Sequence, residues 1–592
     1  MPVPTPERTE RRWRGIGVSP GVARAEVHLV VGGVILPVAR VVPVSELDSE
    51  WKRFGEALEA TKEQVEALKK KLDEAGEGRE AGIFDAHVLI LEDSVLLNEV
   101  ERTLREQRLA VDAAFYQVMM RYQEAFDGIE DEYLRERAVD MEDVAQRVLR
   151  NLRDLGSEKD RAASLPDYPH VLVAKDLSPS DTAAMDRELV RGFVTELGSH
   201  TSHTAILARS FGIPAVVGLP DITDELESGA DVLVDGYLGL VIVNPTLETL
   251  RAYERLEARR SAIRVQLQDL RDQPAVTTDG RRLKLAANIE FLGEIPVLKE
   301  QGAEGVGLFR TEFFYLKGDT LPTEEEQFLA YTQAVREVGA EGVIFRTFDI
   351  GGDKLPTARH HAPEPNPFLG WRGIRVSLEE TEIFKTQLRA ILRASGYGKA
   401  LIMFPMVATR DEMRTARAIT RECMDELRAE GKAFDENIPI GAMIEVPGAA
   451  MAADLLAPEV DFFSIGTNDL TQYTIAVDRV NERVAGLYEP MHPGVLRLID
   501  TVVKAAAKRG VWVGVCGEAA GDVLFSPLLI GLGVDELSVG PRQVLRVKRA
   551  VRSLSLEKCR ELTEAALNGL DTPEIAARCV AMAREAYPEL LE

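Results

Sequence analysis

"DFFSIGTNDLTQY", residues 461–473, contains a short apolar run with a polar end. Phe462, Phe463 and Ile465 fit a buried strand, and Gly466 breaks the run. The next side chains include an amide and a carboxylate, and a helix-length segment follows. A buried strand that ends in polar residues and leads into a helix is the repeating unit of an α/β barrel, so this stretch predicts one such unit.

The C-terminal part of the chain repeats this pattern. Eight apolar, strand-like segments begin near residues 283, 305, 342, 400, 440, 461, 512 and 536. Segments of helix length separate them, and eight successive βα units predict a TIM (β/α)8 barrel. A doubly wound sheet is the main alternative. We assign residues 276–592 to the barrel.

The N-terminal part has a different organisation, and the whole chain is predicted to be multidomain α/β. Residues 15–33 and 156–245 alternate strands and helices and predict a compact α/β domain. Residues 34–155 read as a helical insertion into that domain. Residues 246–275 are highly charged and helix-prone, which predicts a connecting helix, and residues 1–14 are expected to form a flexible tail.

The helical insertion shows four helical patterns. In the first, apolar residues recur at spacings of three, four or seven from Leu47 to Leu72, as on one face of a helix. The others cover about 81–107, 110–129 and 132–155. Four helices with short connections predict helical hairpins or a bundle.

Composition excludes several classes of protein. The 592 residues include 71 Lys and Arg against 97 Asp and Glu, a net charge of −26, which disfavours nucleic acid and anionic lipid but attracts a basic protein. No apolar run approaches the length of a membrane span. The four cysteines have no CxxC spacing, so we expect no disulfide framework and a cytoplasmic location.

Charged and polar side chains follow the predicted barrel strands, where active-site residues of such barrels lie. They are Arg310, Arg346, Asp349, Lys354, Glu445, Asn468, Asp469, Arg479, Cys516 and Glu518. Converging arginines fit an anion with several oxygens, and Glu445 with Asp469 fits Mg²⁺ beside a phosphate. We therefore predict a site for a small phosphorylated carboxylic acid. A solvated rim, and an ion-pair role for Glu445, remain the alternatives.

Two further residues are candidates for chemistry. Cys516 is either a small core residue or, at the end of the seventh strand, a proton donor. His203 lies in "TSHTAILARS", behind the capping residues Thr201 and Ser202, where helix N–H groups bind phosphate. A neutral imidazole there can be a nucleophile toward phosphorus. Metal binding with His200 and a structural role are the alternatives.

Six motifs in one order carry a resemblance to a known family. They are "GSHTSHTAILARS", "AEGVGLFRTEFFY", "FRTFDIGGDK", "NPFLGWRGIR", "FFSIGTNDLTQYTIAVDR" and "VCGEAAGD". From residue 15 to its end the chain resembles Enzyme I of the bacterial phosphoenolpyruvate-dependent sugar phosphotransferase system. The resemblance implies that phosphoenolpyruvate phosphorylates a histidine, which passes the group to the carrier protein HPr and leaves pyruvate.

Roles for individual residues follow from that resemblance. His203 is implied as the phosphohistidine, acting through Nε2, and Cys516 as the acid that protonates the enolate. Phosphoenolpyruvate binding is implied for Arg310, Arg346, Arg479, Asn468 and Asp469, with Lys354 and Arg372 assisting. Mg²⁺ is implied at Glu445 and Asp469, and Thr182 is expected to orient the histidine.

The resemblance also implies partners. HPr would dock on the helical insertion, where Leu89, Ile90 and Leu96 form a candidate apolar patch, although these three could instead pack the bundle. A homodimer through the barrel is implied, with no nucleic acid and no membrane insertion. His200 stands where some relatives carry arginine. A dikinase-type phosphoenolpyruvate-utilising enzyme and a non-catalytic phosphoenolpyruvate- or HPr-binding regulator are the rival interpretations.

Overall fold

The structure is a computed structural model that divides the chain into two compact units, Met1–Arg259 and Arg260–Glu592. It describes residues 9–30, 37, 40–74, 83–127, 132–153, 166–177, 189–198, 205, 208–209, 211–316, 321–351, 366–479, 481 and 483–591. Each unit is treated by itself. Within these residues, no helix combines the length and apolar character needed to cross a bilayer.

The first unit contains an eight-stranded mixed sheet. In chain order its strands are β1 (Arg11–Arg14), β2 (Ile16–Ser19), β3 (Val22–Val30), β4 (His170–Ala174), β5 (Val190–Thr195), β6 (Ala215–Val217), β7 (Asp231–Asp235) and β8 (Leu240–Val243). Their order across the sheet is β1-β8-β7-β3-β4-β5-β6-β2. Strands from both ends of the helical insertion therefore belong to one sheet, because β3 pairs with β4 in parallel.

The expectation of a flexible tail through residue 14 is wrong for Arg11–Arg14. This strand pairs antiparallel with β8, from Arg11 opposite Val243 to Arg14 opposite Leu240. Glu10 strengthens the attachment, because its Oε2 accepts hydrogen bonds from the Thr246 N–H at 2.7 Å and the Thr249 hydroxyl at 2.6 Å. The basic residues predicted a solvated segment, whereas in the structure they form the edge strand of the sheet.

Helices lie between β3 and β4 in the chain. Those in the described residues are Leu47–Glu74, Ile83–Glu92, Ser94–Gln107, Val111–Asp127 and Glu132–Leu152. The single helix predicted over 81–107 is interrupted at Asp93, whose carboxylate accepts hydrogen bonds from the N–H groups of Val95 and Leu96 and so begins a new helix. The apolar stripe of the first helix faces the bundle core, where Phe54 and Val65 are fully buried.

The predicted connecting helix spans Leu247–Gln268, so it crosses the boundary between the two units. A short strand, β9 (Ala275–Val276), follows it. That strand pairs antiparallel with the start of the first barrel strand, with Val276 opposite Arg282. The helix therefore ends before 275 because the chain turns to form this pairing.

The second unit is a closed parallel barrel, which confirms the predicted fold class. Its strands are β10 (Arg282–Ile289), β11 (Val306–Arg310), β12 (Val343–Arg346), β13 (Ala400–Phe404), β14 (Ile440–Ile444), β15 (Phe462–Ile465), β16 (Trp512–Val515) and β17 (Glu536–Val539). Each pairs with the next in the chain, and β10 closes the barrel by pairing with both β11 and β17. All eight apolar segments predicted from the sequence form these strands.

Helices surround the barrel. Those in the described residues, apart from turns of 3₁₀ helix, are Ile295–Glu300, Phe313–Leu316, Glu324–Val338, Ile374–Glu379, Thr381–Ser395, Arg410–Ala429, Pro447–Met451, Ala453–Leu456, Thr467–Ile475, Pro493–Ala507, Ser526–Leu532, Val544–Ser553, Leu556–Asn568 and Thr572–Ala586. The largest apolar core of the molecule lies between these helices and the strands. This packing buries both faces of the sheet, as the apolar strands require.

A second, smaller apolar cluster fills the barrel interior. It includes Met443, Phe462 and Cys516, with the Trp512 ring stacked on Phe462 at a centroid distance of 4.7 Å. Gly441 makes room for the Phe462 ring, because a Cβ at residue 441 would lie 2.5 Å from it. The filled interior leaves the C-terminal ends of the strands as the place where polar side chains can meet a ligand.

Candidate functional site

The predicted site residues that the structure describes lie at the C-terminal mouth of the barrel. Arg310 and Arg346 are the last residues of β11 and β12 and stand opposite each other in the strand register. Glu445 and Cys516 each follow the last residue of their strand, β14 and β16. Asn468 and Asp469 lie in the first turn of helix Thr467–Ile475, directly after β15.

Two arginines at the mouth are held by one buried carboxylate. Asp349 accepts from Arg372 at both oxygens, at 3.1 Å from Nε and 2.7 Å from Nη2. Its Oδ2 also lies 3.3 Å from Nη1 of Arg346. Burial opposes the ionised form, but the two arginines outweigh it and lower the pKa of Asp349. Asp349 therefore fixes the orientation of both guanidinium groups.

Arg346 has a second acidic partner. Its Nη2 lies 2.9 Å from Oε1 of Glu312, and the same oxygen accepts from the backbone N–H of Asp349 at 2.8 Å. Burial disfavours the charge on Arg346, yet Glu312 and Asp349 raise its pKa. The guanidinium thus stays charged in a buried place, as an anion-binding group must.

The other two predicted arginines are less buried and also have acidic neighbours. Arg310 Nη1 donates to Glu290 at 2.6 Å, and Arg479 Nη1 lies 3.0 Å from Oδ1 of Asp469. About a third of each arginine side chain is exposed, 37% for Arg310 and 30% for Arg479. Their partners hold them at the mouth, while the exposed part can meet a ligand.

Asn468 is held by a reciprocal pair of hydrogen bonds. Its Nδ2 donates to Oε1 of Glu518 at 3.1 Å, and its Oδ1 accepts from the Glu518 N–H at 2.8 Å. These bonds tie the helix after β15 to the turn after β16. To contact a ligand through its side chain, Asn468 would have to share or exchange them.

The carboxylates of Glu445 and Asp469 at the mouth are suited to a divalent cation. Glu445 is 2% exposed, and its Oε1 accepts from the Met406 N–H at 2.7 Å. Burial, together with the charges of Asp349 and Asp469, raises the pKa of Glu445 to about 8. A bound cation would offset this repulsion. Within the described ranges, no three or more His, Cys, Asp or Glu side chains are grouped so that they could hold a metal ion. A cation held by Glu445 and Asp469 would therefore take its remaining ligands from substrate and water.

Buried polar atoms that lack a hydrogen bond lie at the same mouth. Among the described residues, Arg346 Nε and Thr467 Oγ1 are buried and make no hydrogen bond, and Arg479 Nη1 and Asp469 Oδ1, which lie 3.0 Å apart, form an ion pair without a hydrogen bond. Native proteins leave few such atoms unsatisfied. Guanidinium donors and a carboxylate acceptor at one mouth are complementary to an anion with several oxygens and to a cation. These atoms are the strongest structural evidence that the mouth binds a ligand.

Cys516 lies at the bottom of this mouth. Its thiol is 2% exposed, and Sγ lies 3.7 Å from the Ile465 carbonyl, to which it can donate. Burial raises the pKa of Cys516 to about 11, although a hydrogen bond with Ser464 opposes the shift. The thiol therefore keeps its proton at neutral pH. A protonated thiol beside an anion site can act as an acid but not as a resting nucleophile.

Some predicted residues lie outside the described part of the chain. They are Thr182, His200, His203 and Lys354. Their predicted roles stay predictions from the sequence.

The structure also identifies supporting residues to which the sequence assigned no role. Glu290 and Glu312 pair with arginines of the mouth. Tyr473 accepts from Nη1 of Arg372 at 3.4 Å and donates to the Phe368 carbonyl. Glu290 directly follows β10, so the search for charged residues at strand ends could have predicted it. Tyr473 lies one helical turn after Asp469 on the same face of the helix, and this spacing could have predicted its place at the site.

The apolar patch predicted on the helical insertion can be checked at two of its three residues. Leu96 is 3% exposed and belongs to the bundle core, so including it in an exposed patch was wrong. Ile90 is partly buried and packs against the same core. The side chain of Leu89 lies outside the described residues. The alternative in which these residues pack the bundle holds for Leu96 because its helix turns that face inward.

Three family models of PEP-utilising enzymes match the chain. The N-terminal model covers residues 14–137, the mobile-domain model 166–239 and the PEP-binding-domain model 264–556. A phosphoenolpyruvate-protein phosphotransferase from Staphylococcus aureus is 43% identical over 95% of this chain and 98% of its own length. A protein of the same name from Bacillus subtilis (strain 168) is also 43% identical, over 95% of this chain and 98% of its own. A solution structure titled as Enzyme I (nEIt) covers 42% of this chain and 99% of its own, with 36% identity and a TM-score of 0.36.

Proposed function

Since this chain belongs to the phosphoenolpyruvate-protein phosphotransferase family of PEP-utilising enzymes, we propose that it transfers the phosphoryl group of phosphoenolpyruvate to His203 and then to the carrier protein HPr. Pyruvate is the other product. The observation that carries the proposal is the group of buried atoms on Arg346, Arg479 and Asp469 that make no hydrogen bond at the barrel mouth.

Phosphoenolpyruvate carries a phosphate and a carboxylate on a short frame. Arg310, Arg346 and Arg479 bind these anionic groups, because a guanidinium matches both geometries in a bidentate way. Asp349 and Glu312 keep Arg346 charged and oriented before substrate arrives. Fixed cations at the point where charge redistributes lower the barrier to phosphoryl transfer.

Mg²⁺ would be held by Glu445 and Asp469. The fit is supported by the raised pKa of Glu445 and by Oδ1 of Asp469, which makes no hydrogen bond and lies 3.0 Å from Arg479 Nη1. When bound, the ion neutralises charge on the phosphoryl oxygens. Arg372 lies 3.4 Å from Asp469 Oδ2 and orients that carboxylate.

Cys516 completes the reaction at carbon. Loss of the phosphoryl group leaves the enolate of pyruvate, whose C3 needs a proton. The Cys516 thiol, still protonated at neutral pH, supplies it and yields the methyl group of pyruvate. This step makes the overall transfer favourable, because the enolate is much less stable than pyruvate.

His203 belongs to the first unit, and the arginine cluster belongs to the second. The imidazole has to reach the barrel mouth to receive the phosphoryl group and then leave it to meet HPr. The connecting helix Leu247–Gln268 spans the boundary between the units and is where we place the required movement. As implied by family resemblance, we expect a cytoplasmic enzyme that dimerises through the barrel.

The assay is direct. The full chain is mixed with phosphoenolpyruvate, Mg²⁺ and HPr, and both pyruvate and phosphorylated HPr are measured. We expect both with the natural sequence, neither with His203→Ala, and neither when Mg²⁺ is removed by a chelator. Phosphorylation of HPr by the His203→Ala variant would overturn the proposal. Labelling of His203 by ATP would instead support the dikinase interpretation, and binding without pyruvate release the regulatory one.

A further inference from the structure

Met406 has an unusual backbone conformation for a buried apolar residue. It lies two residues beyond the end of β13, is 1% exposed and has a φ of 57°. That value lies in the left-handed region, where a residue with a Cβ is strained. The other described residues with a side chain and a positive φ are at least partly exposed; they are Arg108, Asp221, Asn244 and Ala476. A strained, buried residue beside a candidate site calls for a functional reason.

Neighbouring segments hold Met406 in this conformation. A Cβ on Gly373 would lie 2.9 Å from the Met406 Cβ, so the glycine lets the two segments approach closely. Beside this contact, the Ile374 N–H donates to the Pro405 carbonyl at 3.3 Å. On another side the Tyr473 hydroxyl lies 4.0 Å from the Met406 Sδ. The turn after β13 is therefore fixed by contacts with two other segments of the barrel unit.

The conformation of Met406 directs its backbone N–H to Glu445. This N–H donates to Oε1 of the Glu445 carboxylate at 2.7 Å, and both residues are buried. The peptide group is planar, so rotation about the N–Cα bond to an ordinary negative φ would turn this N–H relative to the chain that follows. The hydrogen bond to Glu445 therefore depends on the strained φ of Met406.

The other oxygen of this carboxylate lies beside Gly466. A Cβ on Gly466 would lie 2.8 Å from Oε2 of Glu445, so the glycine leaves room for the carboxylate. Gly466 directly precedes the helix Thr467–Ile475, which carries Asp469. Glu445 is thus held at one oxygen by an N–H, while its other oxygen lies next to the segment that leads to the second carboxylate of the mouth. Hydrogen bonds of this kind orient the ligands of metal ions.

We propose that Met406 is a positioning residue for Glu445, whose carboxylate its left-handed backbone holds in the orientation that binds Mg²⁺. The inference rests on the proposed function, in which Glu445 and Asp469 hold that ion. The N–H of Met406 supplies the positioning, and its buried side chain supplies packing against Gly373 and Tyr473. Substitutions at residue 406 can separate these two contributions, because side chains differ in how well they accept a positive φ.

The test compares Met406→Ile with Met406→Leu, whose side chains have the same number of atoms. Branching at Cβ makes a positive φ much less accessible to isoleucine than to leucine, so only isoleucine should displace the N–H. The probe is Mn²⁺, whose free concentration is followed by electron paramagnetic resonance. Each variant is made in the full chain with His203→Ala, so that added phosphoenolpyruvate is not consumed. We expect Met406→Ile to weaken Mn²⁺ binding roughly tenfold and Met406→Leu to change it by less than about twofold.

Met406→Gly separates positioning from packing, and it decides the question if the isoleucine variant does not fold. Glycine accepts a positive φ and keeps the N–H but loses the buried side chain, so this variant should unfold at a lower urea concentration and still bind Mn²⁺ nearly as tightly. Equal weakening by isoleucine and leucine, unchanged binding with isoleucine, or a tenfold loss with glycine would each overturn the proposal. Unchanged Mn²⁺ binding by Glu445→Gln is a distinct result, because the metal site of the proposed function would then fail and this inference with it.

Discussion

Asp349→Asn tests whether the arginine cluster is held by a buried carboxylate. Asp349 has a side chain only 2% exposed and bonds Arg372 twice, at 2.7 and 3.1 Å, with Arg346 at 3.3 Å. Removing one partner of a buried ion pair typically costs about 3–5 kcal/mol. Asparagine keeps the shape and one acceptor oxygen, so we expect the lower end, about 3 kcal/mol, in the free energy of unfolding. The misaligned arginines should also raise KM for phosphoenolpyruvate roughly tenfold, as expected for one lost charge-assisted hydrogen bond.

The assay is urea unfolding of the full chain, in which the barrel transition is the one that phosphoenolpyruvate shifts. Asp500→Asn is the control, because Asp500 pairs within its own helix with Lys504 at 2.6 Å, and the Lys504 side chain is 68% exposed. That substitution should cost no more than about 0.5 kcal/mol. If both variants lost equal stability, or if Asp349→Asn kept the natural KM, the reasoning about the buried carboxylate would be refuted.

Three other outcomes are expected. Gly517→Ala should abolish pyruvate formation while the chain still folds. A Cβ at residue 517, next to Cys516 in the chain, would lie 2.0 Å from Thr467 Oγ1 and would displace the residues of the mouth. Normal turnover by this variant would contradict the described packing. Lys548→Met should destabilise the barrel by about 2–4 kcal/mol in urea unfolding, since the buried Lys548 donates through Nζ to the carbonyls of Arg271 at 2.6 Å and Gly302 at 3.0 Å. A loss below about 0.5 kcal/mol would disprove this reasoning. Hydrogen bonds from the Thr246 N–H and the Thr249 hydroxyl lower the pKa of Glu10 from 4.5 to about 2, so its stabilising effect is full above pH 4.5 and fades as pH falls toward about 2. The stability difference between Glu10→Gln and the natural chain should therefore shrink below pH 4.5, and a pH-independent difference would count against it.

The barrel could be predicted from the sequence because its signal is local. Each strand is a short, mostly apolar run, and this pattern can be recognised without knowing which strands are neighbours. The sequence did not predict those helix and strand boundaries that depend on a few hydrogen bonds. Asp93 begins a helix where the apolar pattern continues, and Arg11–Arg14 form a strand only because β8 offers a free edge.

The site could be predicted in part for the same reason. Arg310, Arg346 and Glu445 follow strand ends, and the topology of a barrel brings such ends together. What the sequence could not identify are the pairings across strands. Glu312, which follows the end of β11, pairs with Arg346 at the end of β12.

The burial of Leu96 shows a further limit. An apolar residue in a helical segment can face a partner or its own bundle, and the spacing is the same in both cases. The packing of Leu96 with the other core residues of the insertion decides the question. If HPr docks on the insertion, as the resemblance implies, the surface it meets must therefore be sought among the exposed side chains of the insertion.

The central claim is that one imidazole carries the phosphoryl group. The most direct measurement is a peptide-resolved mass spectrum, taken under conditions that keep acid-labile phosphate, after the chain is mixed with phosphoenolpyruvate and Mg²⁺. The account predicts phosphate on the peptide containing His203, in proportion to the pyruvate released, and its disappearance once HPr is added. Phosphate on another residue, or pyruvate released while His203 stays unmodified, would contradict it.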